Sequence, residues 1–181
     1  VALVFSFQAL VALMQFVANE DTLQNLVFWT LGSLTRATWG TLGLLAGALA
    51  CILPFSLRAA WPLTTLRMGE DRAASLGVDV PRLRRAALLR ISLLCALAVA
   101  VVGVIGFIGL VASHIARRLV GEDHRFYLPA SMLSGAFILS LAALVARVLV
   151  PGVIVPTGIV TALVGIPFFL VIVLRRGEGM P

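Results

Sequence analysis

Six apolar stretches, most of them near the length of a membrane span, set the strongest limit on how this chain can fold. They are Val1–Val17, Thr38–Leu57, Ala86–Ile105, Phe107–Ala116, Leu128–Val148 and Gly158–Leu174. The hydrocarbon core of a bilayer needs about 20 apolar helical residues to cross. The chain is also 61% hydrophobic with a mean hydropathy of +1.09, which no soluble domain of 181 residues tolerates on its surface. We therefore predict an all-α integral membrane protein with about six transmembrane helices.

Two of these stretches are atypical. Phe107–Ala116 is short and directly follows the third stretch, so it is either a separate helix or a broken span. Val1–Val17 is unlike a signal peptide because it has no initiating Met and no basic leading region. We expect it to be a true span entered midway, with further helices upstream.

The basic residues predict the orientation of the spans. All 14 are arginines, and they concentrate in three regions, residues 58–90, residues 117–125 and Arg175–Arg176. Cytoplasmic loops carry an excess of basic residues, so these regions should face the cytoplasm. The loops around Arg36 and Val150–Pro156 should then face outside. Lipid headgroups account for the basic charge, and nucleic-acid binding is not expected.

The chain lacks the side-chain sets that catalysis or ion coupling would need. All eight acidic residues fall outside the apolar stretches, whereas ion-coupled carriers usually keep an ionisable residue inside. His114 and His124 have no accompanying Cys or carboxylate cluster, and Cys51 and Cys95 lie in apolar spans as small hydrophobes. Ser113 and His114 are adjacent on a helix and so point apart. We expect no metal site, no cofactor and no catalytic residues.

Glycines and polar residues indicate local structure between the spans. Residues 19–37 predict a short helix along the outer membrane surface. Gly43 and Gly47 have the spacing that lets a second helix approach closely. From Gly103 to Gly109 a glycine recurs every third residue, which predicts either tight helix packing or a sharp break.

The longest polar segment, residues 58–85, contains a compact candidate helix at Gly69–Gly77. Glu70 and Asp71 suit the first turn, where the helix dipole favours negative charge. Gly77 suits the left-handed residue that ends many helices. A short helix with both ends marked is therefore predicted inside this loop.

The surroundings of this helix carry two further expectations. Asp79 and Pro81 are start signals for the next helix. Ala73 and Leu76, three residues apart, would give the short helix a small apolar face. Such a helix either docks in a groove of a soluble partner or forms part of a solvated loop.

Five groups of residues, taken in order, carry a resemblance to a known family. They are Phe28–Leu34, Gly69–Gly77, Ile105–Leu110, His114–Arg118 with Gly121–Arg125, and Pro156–Ala162 with Gly165–Phe169. These segments resemble the C-terminal part of FecCD/BtuC-type permeases, which serve ABC importers of ferric siderophores, haem and cobalamin. The ordered set covers nearly the whole chain.

The resemblance implies an architecture and a set of partners. Residue 1 would lie in the fifth helix of a ten-helix ABC importer permease fold, residues 1–181 would form the C-terminal part of one permease domain, and residues 58–85 would be its cytoplasmic coupling loop. The implied partners are ABC ATPase subunits, a periplasmic or lipid-anchored substrate-binding protein, a second permease subunit and the bilayer of the bacterial inner membrane. The ATPase partner would hydrolyse ATP, since a chain without Lys cannot supply the phosphate-binding Gly-x-x-x-x-Gly-Lys loop.

The resemblance also implies site residues. The residues that would couple to the ATPase are Gly69, Glu70, Ala73, Leu76 and Gly77. Arg147 would contact an acidic residue of the docked binding protein, although an arginine there can also extend to lipid headgroups. The chain departs from the family pattern at Ser113, Ala143 and Ile154, where the family usually has Pro, Asp and Glu.

Two other classes of function remain open from sequence. One is a membrane assembly or scaffold subunit that does not transport, and the other is an intramembrane enzyme. Co-purification with an ATPase distinguishes a permease from a scaffold, because only the permease needs that partner.

Overall fold

The computed structural model describes residues 2–149 and 155–177, and most of these residues are helical. Within these ranges nine α-helices and one short 3-10 turn follow one another along the chain. The α-helices are α1 (Ala2–Val17), α2 (Glu20–Thr30), α3 (Trp39–Arg58), α4 (Ala60–Leu66), α5 (Glu70–Ser75), α6 (Val80–Val102), α7 (Ile108–Val120), α8 (His124–Val148) and α9 (Thr157–Gly177). The 3-10 turn, Leu34–Arg36, lies between α2 and α3.

The membrane character of the fold is confirmed by the lengths and compositions of its helices. Three helices, α3, α6 and α8, are long and apolar enough to cross a membrane. Helix α1 and the part of α9 from Thr157 to Ile172 are apolar but shorter. The predicted all-α membrane class is therefore correct, and each of the six apolar stretches coincides with a helix.

The start of α6 differs from the apolar pattern because capping sets it. The helix begins at Val80, six residues before the predicted stretch, and includes three arginines in its first turns. The Asp79 carboxylate accepts a hydrogen bond from the backbone N–H of Arg82, and Pro81 occupies the first turn, where its missing N–H costs nothing. The two predicted start signals are confirmed.

The glycine run before α7 is a sharp break. Residues 103–107 are not helical, and Gly103 and Phe107 both have positive φ, 79° and 65°. Helix α7 has 13 residues and is therefore only about 20 Å long.

The helices connect two opposite ends of the molecule. We call one the polar end, which consists of α4, α5, the start of α6 and the turn 121–123 between α7 and α8. At the other end the residues after α2, the residues after α6 and the start of α9 meet. Local sequence patterns predict α2 and α5 but not α4. Helix α4 tolerates Pro62 because this residue lies in its first turn, where the missing N–H has no helical partner.

The close approach predicted at Gly43 and Gly47 is not made by the described residues. A Cβ added at either position would have no other atom within 4 Å. Helix α1 buries no residue and α3 buries only Ile52. These faces are therefore open to lipid or to protein outside the described residues.

Candidate functional site

Helix α5 has both of its ends fixed by glycine. Gly69 precedes it with φ 108° and ψ 154°, a conformation that side-chain-bearing residues avoid. After the helix, the Gly77 N–H donates to the Ala74 carbonyl at 2.9 Å and the Val78 N–H donates to the Ala73 carbonyl at 3.0 Å. This pair of bonds, with Gly77 at φ 80°, is the Schellman arrangement that terminates helices. The predicted stop at Gly77 is confirmed.

The apolar face predicted for α5 is wrong, because Ala73 and Leu76 point to different surroundings. Ala73 is 0% exposed and packs with Val78 and Val80 of its own chain, whereas Leu76 is 53% exposed. The cluster of Val78, Val80, Leu66 and Leu83 that covers Ala73 does not extend to Leu76, the residue directly after the helix. Among the residues implied to couple to an ATPase, Glu70 and Leu76 have exposed side chains, whereas Ala73 is buried within its own chain.

Glu70 combines an internal contact with an exposed surface. Its carboxylate pairs with the guanidinium of Arg84, which lies one turn into α6. The Glu70 side chain is 58% exposed despite this pair. The pair therefore connects α5 to α6 and leaves the carboxylate accessible from solution.

A second group of polar contacts joins α4 to the turn between α7 and α8. The Arg67 guanidinium pairs with the Glu122 carboxylate and also donates to the Glu122 backbone carbonyl at 3.3 Å. The Thr64 hydroxyl accepts from the backbone N–H of His124 at 3.1 Å and lies 3.2 Å from Nδ1 of the same residue. We call Thr64, Arg67, Glu122 and His124 the interhelix link. No local sequence pattern indicates this link, since its partners are more than fifty residues apart.

A cavity of about 340 Å³ lies beside the interhelix link. Leu63, Leu66 and Arg67 border it from the α4 side, and Glu122 and Tyr127 border it from the α7–α8 side. Arg117 reaches Glu122 from α7 with a separation of 3.6 Å between Nε and Oε1. At this point the two groups of helices are therefore joined by polar contacts beside open space.

At the opposite end, three glycines bring three chain segments into contact. The Gly158 N–H donates to the Gly32 carbonyl at 3.0 Å, and the Ser33 N–H donates to the Val102 carbonyl at 2.8 Å. A Cβ added at Gly32, Gly103 or Gly158 would lie closer than 3.0 Å to a backbone carbonyl oxygen of another segment. We call these three glycines the glycine joint. A side chain at any of the three glycines would strike the backbone of another segment, because the backbones themselves are in contact.

Phe107 and Gly165 extend this contact into the molecule. An added Cβ at Gly165 would lie closer than 3.0 Å to the side chain of Phe107. Gly165 is eight residues into α9, so the Phe107 ring lies roughly 12 Å from the start of that helix. Irregular backbone at membrane depth is tolerated where protein covers it, and α9 provides that cover.

Arg147 lies in the last turn of α8, and its side chain is exposed. The neighbouring Ala146 is buried against Val160 of α9, which fixes the direction of this turn. Within the described residues Arg147 forms no ion pair. Ile154 and most of the predicted outer loop, residues 150–154, lie outside the described residues.

The two histidines have packing or hydrogen-bonding roles in the described part of the chain. His114 meets Phe168 of α9 edge to face, with ring centroids 6.1 Å apart. His124 meets Tyr127 in the same way at 5.7 Å. The described residues contain no group of three His, Cys, Asp or Glu side chains placed to hold a metal ion.

These features define a polytopic α-helical membrane protein with a short capped helix at one end of its spans. The chain belongs to the FecCD transport family, whose model matches residues 1–175. This result confirms the family predicted from the sequence segments.

Individual relatives agree with this assignment. The hemin transport system permease protein HmuU of Yersinia pestis is 41% identical over 173 residues, which are 94% of this chain and 51% of the relative. A protein provisionally named as an ABC transporter permease in Methanocaldococcus jannaschii is 38% identical over 97% of this chain and 50% of its own length. The chain thus spans about half the length of the curated relatives it matches.

The fold also matches a solved structure. It is an ABC transporter of proposed metal-chelate type in an inward-facing conformation, with a TM-score of 0.86 and 36% identity. The match covers 93% of this chain and 56% of the solved chain. At this identity the likeness extends to sequence as well as to fold.

Proposed function

We propose that this chain is part of the transmembrane permease subunit of a bacterial ABC importer that moves a metal chelate into the cytoplasm. The observation that carries the proposal is α5, a helix with both ends fixed by glycine and with Glu70 and Leu76 exposed, in a chain of the FecCD transport family. A rigid, exposed helix between two spans is suited to docking in a groove of a soluble protein. That protein is an ABC ATPase, which hydrolyses ATP on behalf of the permease.

The polar end faces the cytoplasm in this proposal. It contains most of the arginines between α3 and α6 and those that end α7, as the positive-inside rule requires of cytoplasmic loops. The glycine joint and Arg147 then face the outside of the inner membrane. A substrate-binding protein docks on that side, and a second permease subunit completes the pathway through the bilayer.

The cargo is a ferric siderophore, haem or cobalamin. The relative from Yersinia pestis is named for hemin, and the solved structure is described as of metal-chelate type.

Reversing the charge of Glu70 tests the ATPase partner. In the complete permease subunit, Glu70→Arg should lower the amount of ATPase that co-purifies by roughly tenfold. The change reverses the charge of an exposed α5 side chain that the proposal places against the ATPase. The measurement is a pull-down with the ATPase subunits encoded in the same genome. Wild-type protein that retains no ATPase would favour the scaffold alternative.

The Glu70–Arg84 pair makes a control necessary, since Glu70→Arg also breaks a contact within the chain. Arg84→Gln breaks the same pair but leaves the charge of α5 unchanged. It should retain ATPase to within about twofold, because a half-exposed ion pair contributes little to stability. Equal losses from both variants would show that the local fold, not the α5 surface, determines binding.

Reversing Arg147 tests docking of the binding protein on the other side. Arg147→Glu should weaken binding of the substrate-binding protein roughly tenfold and change its dependence on salt, because exposed charges at an interface steer association. Binding is measured with the purified partner and permease in lipid nanodiscs. The control is Arg125→Glu, an exposed arginine in the first turn of the same helix at the polar end. An equal loss from both variants would contradict docking at Arg147.

A further inference from the structure

Helix α5 is packed into a single unit with α4 and the start of α6. Ala73, Val78 and Val80 form a buried cluster, and Leu66 of α4 and Leu83 of α6 pack against it. Three residues separate α4 from α5, so neither helix can move far without the other. A displacement of α5 therefore carries α4 with it.

The interhelix link ties this unit to the turn between α7 and α8 at two points. One point is the ion pair and backbone hydrogen bond from Arg67 to Glu122, and the other is the contact of Thr64 with His124. Thr64 lies in α4 and Arg67 directly follows the helix, so the two contacts join the end of α4 to the turn at two points one helical turn apart. The chain itself connects α5 only to α4 and α6, and the link adds a route to α7 and α8.

The route continues from the turn into the body of the molecule. Helices α7 and α8 share the most extensive packing of any pair among the described elements. Helix α7 leads back to Phe107, which contacts Gly165 of α9, and α8 leads to the turn that carries Arg147. Movement delivered at the polar end can thus reach the opposite end through packed helices.

The contacts of the interhelix link are suited to repeated opening. The side chains of Arg67 and Glu122 are 38% and 49% exposed, so water screens their attraction. The adjacent cavity of about 340 Å³ leaves room for α4 to shift against α8. Buried apolar packing at this place would have resisted such a shift, because packed interiors transmit strain and leave few voids.

We propose that Thr64, Arg67, Glu122 and His124 are positioning residues that transmit the displacement of α5 to α7 and α8. The proposal rests on the function proposed above, in which an ATPase acts on α5. It assigns the interhelix link a role in coupling ATP hydrolysis to transport, as distinct from a role in binding the ATPase.

The test uses the complete permease subunit reconstituted in liposomes with its ATPase and its binding protein. Two quantities are measured: hemin imported per ATP hydrolysed, and ATPase bound per permease. Ferric citrate and cobalamin replace hemin if the wild type does not import it. Arg67→Glu and Glu122→Arg should each lower import per ATP about fivefold while ATPase binding stays within about twofold of wild type.

The charge swap separates the link from a general structural effect. Because Arg117 also lies beside Glu122, the swap is made in an Arg117→Gln background. There Arg67→Glu combined with Glu122→Arg restores an opposite-charge pair and should bring import per ATP back to within about twofold of Arg117→Gln alone. The matched control is Arg82→Glu, whose partner Asp79 lies three residues away at the start of the same helix and so joins no two elements. It should leave the ratio unchanged.

Each other result has a distinct meaning. Single variants that couple like wild type, or a swap that restores nothing, would overturn the proposal. Loss of ATPase binding in the single variants would also overturn it, since the pair would then act in docking. If charge reversal prevents folding, Arg67→Gln and Glu122→Gln replace it and should lower the ratio about twofold. A wild-type complex that binds no ATPase and imports none of the three chelates would instead refute the proposed function, and the coupling role would fall with it.

Discussion

Replacing Gly103 by alanine should lower the free energy of unfolding by about 3 kcal/mol or more, because two separate costs add. Gly103 has φ 79° and ψ −168°, a region that only glycine occupies without strain. An added Cβ would also lie closer than 3.0 Å to the carbonyl oxygen of Trp29. That oxygen belongs to the backbone and cannot rotate away as a side chain can. Thermal unfolding in detergent measures the loss.

Gly135→Ala is the matched control for this experiment. Gly135 is in the interior of α8, where an added Cβ would meet the Cβ of Ala112 at 3.6 Å, an ordinary contact. Alanine also favours a helix over glycine by about 1 kcal/mol. The control should unfold at the same temperature as wild type or slightly above it. If Gly103→Ala unfolds at the same temperature as Gly135→Ala, the three segments at the glycine joint are not in close contact.

Placing a carboxylate at Ala73 should detach α5 from the rest of the polar end. Ala73→Asp puts a charge at a fully buried position with no partner, at a cost of about 3 kcal/mol or more. A helix of six residues is not stable in isolation, so α5 should unfold locally before the whole protein does. Hydrogen exchange of residues 69–77 measures this loss, and protection there should fall at least roughly tenfold.

The neighbouring alanine offers a control with the same chemistry. Ala74 is in the same helix but exposed, so Ala74→Asp adds the same charge without burying it. Its hydrogen exchange should match wild type, and the pull-down of the ATPase should show whether the surface charge alone affects docking. If residues 69–77 are equally protected from hydrogen exchange in both variants, Ala73 is not buried within its own chain. Its side chain would then face the partner, as the family resemblance implies.

Local signals in the sequence predicted the parts of the site that local chemistry controls. Asp79 and Pro81 start α6 because a carboxylate caps free N–H groups and proline tolerates the first turn. Gly77 ends α5 because it takes a positive φ without strain. The glycine run after Gly103 is a break, one of the two outcomes that its spacing allowed.

Contacts between distant segments could not be predicted in this way. The pairing of Arg67 with Glu122 and the meeting of Gly32 with Gly158 depend on how the helices pack, and neither leaves a repeat in the sequence. The error at Ala73 has a related cause. Helical spacing relates Ala73 to Leu76 but does not show which of them other elements cover, and the cluster that buries Ala73 does not reach Leu76.

The backbone contacts of the glycine joint restrict which mutations can compensate for one another during evolution. The atoms closest to an added Cβ at Gly32, Gly103 and Gly158 are carbonyl oxygens, which every amino acid carries. At Gly165 they belong instead to the side chain of Phe107, which a second mutation can make smaller. A lineage can therefore recover from a change at Gly165 by altering its neighbour. It has no such remedy at the other three positions, where the only suppressor is reversion to glycine.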